Sequence, residues 1–80
     1  MSEMTGRKEL TINDFYRKLS ERVSDYNARL LLHTAKMKSG VEGADNAVLG
    51  LDQARAMCLA LINKGGPAFQ VGKDLYRELQ

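Results

Sequence analysis

Few side chains in this sequence have the chemistry to act on another molecule. His33 is the sole histidine and Cys58 the sole cysteine among 80 residues. An imidazole, with a reference pKa of about 6.5, can serve as a base or a pH switch. Yet no acid stands at helical spacing from His33, and the nearest upstream, Asp25 and Glu21, are two turns or more away. A histidine with no acid or nucleophile beside it makes no catalytic constellation, so His33 reads as a helix-interface residue. Cys58 lies in Ala56-Met57-Cys58-Leu59-Ala60-Leu61-Ile62, a wholly apolar run. Such surroundings raise a thiol's pKa and leave it inert. These two residues also fall short of the roughly four ligands of a structural zinc site. Gly66 to Lys73 resembles a phosphate loop but fails the pattern, which needs glycine where Pro67 stands and Ser or Thr where Asp74 stands. The expectation is a protein that is not an enzyme and holds no metal and no cofactor.

The cations are more informative. From Thr11 to Lys38 six of them (Arg17, Lys18, Arg22, Arg29, Lys36, Lys38) face three acids (Asp14, Glu21, Asp25). Asp14 with Lys18, Arg17 with Glu21, and Asp25 with Arg29 are spaced to pair along a helix. Arg22, Arg29 and Lys36 recur every seven residues, which sets them on one stripe. Such a stripe is an anion surface, and aromatic rings beside it can stack on a base. Two copies across a twofold axis would carry Arg22 and Arg29 around a shared groove floored by Tyr26 and His33. Arg7 and Lys8, in the N-terminal segment, would add to the same charge. Nucleic acid or a nucleotide-like ligand is the partner this surface would take.

Those residues need a helix to align them. Ile12, Tyr16, Leu19, Val23, Tyr26, Leu30, His33 and Met37 follow at alternating steps of four and three, the 3.5-residue repeat of a coiled coil or bundle. Thr11 and Asp14 suit the helix start, and Gly40 suits its end. The expectation is one unbroken helix over residues 11–38. Gly40, Gly43 and Asp45 mark a connection. A second helix follows over 45–63 with a small-residue stripe, and Gly65-Gly66-Pro67 ends it. A short third helix is expected over 72–79. Asp14-Phe15-Tyr16-Arg17-Lys18-Leu19 is echoed by Asp74-Leu75-Tyr76-Arg77-Glu78-Leu79, although six residues of amphipathic helix recur easily by chance.

The expected fold class is therefore all-α: a long antiparallel helical hairpin plus a short C-terminal helix, assembling into a multi-chain helical bundle. Residues 1–10 are expected to form a mobile arm and 11–80 a single helical domain. A chain this short buries only about 60% of its surface, and one cysteine allows no internal disulfide. Association is the remaining source of stability. Tyr16, Leu19, Val23, Leu30, Leu31, Met57 and Ile62 are the residues expected between copies, in a dimer or higher homo-oligomer. A net charge of +2 and a pI near 8.9 are too mild to demand nucleic acid. The longest apolar run has seven residues, far short of the roughly 20 that span a bilayer, so no membrane partner and a cytoplasmic location are expected. The first reading of function is a protein-binding adaptor, inhibitor or regulator using helix-in-groove recognition; the second is the anion binder.

Overall fold

The structure, a computed structural model, describes residues 10–42 and 48–79. Four helices occupy them: α1 (Ile12–Ser20), α2 (Asp25–Ser39), α3 (Leu51–Lys64) and α4 (Pro67–Glu78). The described residues contain no strand, only an isolated antiparallel bridge between Thr11 and Val48. Residues 1–9 of the expected arm, including Arg7 and Lys8, and Asp45 at the expected start of the second helix lie outside the described residues.

α1 begins as its sequence dictates. Thr11 is extended, and its hydroxyl accepts from the Asp14 amide at 3.1 Å. The Asp14 carboxylate accepts in return from the Thr11 amide at 2.8 Å, which closes a capping box. That bond, helped by Arg17 at 2.8 Å, holds the Asp14 carboxyl below its usual value.

The single helix expected over 11–38 is instead broken. The amides of Glu21 and Arg22 reach back only three residues, to Lys18 and Leu19, so the last turn of α1 tightens. Ser24 then turns extended, with φ −64° and ψ 161°, and its hydroxyl accepts from the Asn27 amide at 3.3 Å to start α2. The inward face changes at this point. α1 buries Ile12, Phe15 and Leu19; α2 buries Ala28 and Ala35. On one continuous helix, Leu19 and Ala28 would point about 180° apart at 100° per residue. The turn at residues 21–24 reconciles two buried faces that no straight helix could present to one core. α2 ends at Gly40, whose φ of 72° is left-handed, while the Val41 amide reaches the Lys36 carbonyl at 3.0 Å.

The other two helices also differ from expectation. Gly50 is not inside a helix but caps α3, and its amide donates to the Gln53 side chain at 3.0 Å. Ahead of it, Leu49 donates to the Leu10 carbonyl at 2.8 Å, and Leu10 is buried. Residue 10 thus belongs to the fold rather than to an arm. Gly65 and Gly66, both at positive φ, make the turn out of α3. Pro67 then opens α4 five residues before the expected start, because a first-turn proline lacks only an amide that would be unpaired anyway. Gly72 lies inside α4 because it touches α3: a Cβ there would stand 2.7 Å from the Cys58 carbonyl oxygen and 3.0 Å from Ile62.

The core is one cluster drawn from all four helices together with Leu10, Val41, Leu49 and Leu79 beside them, with Phe15, Leu19, Met57, Leu61, Val71 and Leu75 among its largest members. Leu19 and Met57, expected between copies, are fully buried in a single chain. Within the apolar run of α3, Met57, Cys58 and Leu61 are buried while Leu59 stays exposed, and α4 is the helix that α3 packs on most extensively. The sequence echo has a structural counterpart. Phe15 and Leu75 are both buried, and Arg17 and Arg77 each fold back three residues onto Asp14 and Asp74, at 2.8 and 3.0 Å.

Two tests follow from this packing. Gly72→Ala should cost about 2 kcal/mol or more, because the methyl meets backbone that cannot rotate away; urea unfolding measures it. The lowered Asp14 pKa adds stability above the carboxyl's unfolded value, and that increment is lost as pH falls through the depressed folded value. Asp14→Asn should flatten the acid limb of the stability curve, read by unfolding at successive pH values.

Candidate functional site

The break between α1 and α2 creates both notable surfaces. Tyr26, Leu30, His33 and Met37 follow at four, three and four residues along α2, opposite the buried Ala28 and Ala35. They form an outward stripe: Tyr26 is 74% exposed, Leu30 50% and Met37 70%. α2 is thus apolar on two sides and has one neighbour side to hide. Leu30 continues into a groove of about 430 Å³ that it shares with Val23, Leu31 and the Gly65-Gly66-Pro67 turn.

The second surface lies between α1 and α2. Asn13, Tyr16, Arg29, Leu32, His33 and Lys36 line a groove of about 290 Å³. Asp25 holds one wall together. Its carboxylate accepts from the Tyr16 hydroxyl and from Arg29 Nε, the latter at 3.0 Å. The Arg29 guanidinium carbon sits 5.8 Å from the centre of the Tyr16 ring, a cation–π distance. No carboxylate is among the lining residues, and among the described residues neither Lys36 nor His33 has an ion-pair partner. The groove therefore offers Lys36, an imidazole and one aromatic ring, beside an Arg29 whose charge Asp25 already meets.

No family model, curated protein or solved structure matches this chain. Its function has to be read from these surfaces.

The structure unites Arg29, Lys36, His33 and Tyr16 in one groove, within one chain. It does not bring in Arg22, whose Nη2 turns to Asp74 of α4 at 3.8 Å, nor Tyr26, which stands on the outward stripe. Val23, Leu31 and Tyr16 are half-buried against their own core, and Ile62 packs beside Gly72. Of the residues expected between copies, Leu30 is the one left exposed. The sequence marks Asp25 only as the partner of Arg29, a pairing present at 3.0 Å. Its partner Tyr16 lies nine residues away across the break, a spacing that carries no helical signal. Asn13 and Leu32 were missed for the same reason.

Among the described residues, no group of three His, Cys, Asp or Glu side chains could hold a metal ion, and no helix is long and apolar enough to cross a membrane. Cys58 is fully buried, and burial, with a smaller push from Glu78, raises its thiol to about 12. A thiol-specific reagent at pH 8 should leave native protein unmodified and label it only on denaturation, as followed by intact mass.

Proposed function

We propose that the protein acts by binding another protein, without catalysis of its own, and that the outward stripe of α2 is its contact surface. The single observation behind this reading is that Tyr26, Leu30 and Met37 stand exposed on one face of a helix whose opposite face is already buried. Exposed aromatic and aliphatic anchors at helical spacing suit packing against an apolar helix or into an apolar groove. The neighbouring groove at Gly65-Gly66-Pro67 extends that surface through Leu30. A second copy of the chain is the simplest such partner, because an antiparallel pairing of two α2 helices sets Asp25 of each near the cationic end, Lys36 and Lys38, of the other.

A second reading rests on a different observation, the groove of Tyr16, Arg29, His33 and Lys36. A phosphorylated ligand with a flat ring, free or at the end of a nucleic acid, matches that set of cations beside an aromatic wall.

The two readings respond to different variants. Light scattering should show a mass above the 8.9 kDa of one chain. Tyr26→Asp and Leu30→Asp should each weaken association by about tenfold or more without loss of helix content. A strictly monomeric protein whose Tyr26→Asp and Leu30→Asp variants behave like the parent would remove the first reading. Pyrophosphate or a nucleotide that shifts the His33 and Tyr16 resonances should lose affinity in Lys36→Gln and with added salt; absence of any shift would remove the second.

A further inference from the structure

The break at residues 21–24 has an unusual property. Every apolar position that α1 buries is in phase with the stripe that α2 exposes. On an uninterrupted helix, Ile12, Phe15 and Leu19 would share one face with Tyr26, Leu30, His33 and Met37 at 100° per residue. The exposed stripe is thus continuous, in sequence phase, with an interface the fold has already formed.

Nothing in the sequence of the break forbids a helix. No Gly or Pro lies between Thr11 and Ser39. Glu21 already has helical angles, φ −74° and ψ −18°. Ser24 has a helical φ of −64° and departs through ψ, where its hydroxyl accepts from the Asn27 amide. Rotation there would help join α1 to α2 as one rod. A short connection between two packed elements is the setting in which identical chains exchange an element.

We propose that two copies of this chain associate by exchanging α1. Residues 21–24 become helical, α1 leaves its own core, and its Ile12, Phe15 and Leu19 enter the core of the other copy. Each core keeps the contacts it has in one chain, including the Thr11–Val48 bridge, now formed between chains. On each rod the Tyr26-Leu30-Met37 stripe then continues the face that α1 buries in the other copy. This rests on the reading of that stripe as an interface, and it names both the partner, a second copy, and the mode.

The groove between α1 and α2 reports the exchange. Asn13 of α1 and Lys36 of α2 line it together, and Lys36, unlike His33, lies off the outward stripe. In an unexchanged chain, cysteines at these positions are bridged within one chain; after exchange, the same bridge joins two. The experiment is Asn13→Cys with Lys36→Cys, treated with a short bismaleimide after concentration or refolding, and read by denaturing gel and light scattering. Buried Cys58 stays out of the reaction. Exchange predicts a covalent dimer in the dimeric fraction. Ser24→Ala, which removes the hydroxyl that holds the bend, should shift the equilibrium toward dimer by about fivefold to tenfold. Ser24→Pro keeps the observed φ but opposes a continuous helix, and should abolish the covalent dimer. A dimeric fraction whose bridge stays within each chain overturns exchange and leaves the stripe reading standing. A monomer bridged internally, with Ser24→Ala no different, overturns exchange as well, and the Tyr26 and Leu30 variants then judge the stripe alone.

Discussion

A half-turn change of inward face at residues 21–24, from Phe15 and Leu19 to Ala28 and Ala35, decides which side of this protein meets the outside. Ser24 caps α2 by accepting from Asn27, and so permits the chain to stop α1 and restart with its inward face rotated by half a turn. Without that rotation Ala28 and Ala35 could not enter the core that Phe15 and Leu19 occupy. The alanines matter in their own right, because small side chains let α2 lie close to its neighbours. The bulk that α2 carries is left on its far side, and the surfaces described above result from that division.

The α3–α4 pair is the firmer half. A glycine at 72 brings the two backbones together, and the turn of two positive-φ glycines before Pro67 reverses the chain with no intervening loop. Cys58, Leu61, Val71 and Leu75 fill the contact. α1 and α2 are tied by fewer polar fixed points: the Asp25 link between Tyr16 and Arg29, and the reach of Arg22 to Asp74. Both are solvent-facing ionic arrangements of the kind that contribute little apiece.

Much of this was readable from sequence, and the failures share a cause. Thr11 with Asp14, and Gly40, were legible because each is a local signal with one meaning. The break was not, because Ser24 sits within an unbroken 3.5-residue pattern and its capping role needs the tertiary rotation to favour it. Gly65-Gly66-Pro67 was legible as a stop, but Pro67 is also a start, and Gly72 hid the continuity of α4 by looking like a boundary. At the groove, Arg29 and Lys36 stand together as their seven-residue spacing on one helix requires. Arg22 has the same spacing but lies before the rotation and turns to Asp74. Tyr16 joined through Asp25, a contact between separate helices that no periodicity encodes.

Leu10 and Glu78, near the two ends of the described residues, line one small cleft together with Leu75, and α1 packs on α4. The helices therefore close into a ring in which each neighbours the next, including last and first. In such a ring the chain's linear order is almost arbitrary. Joining residue 79 to residue 10 through a short linker, which keeps the buried Leu79, and opening the backbone ahead of Gly50 would retain the same four neighbourly contacts, making this a natural candidate for circular permutation.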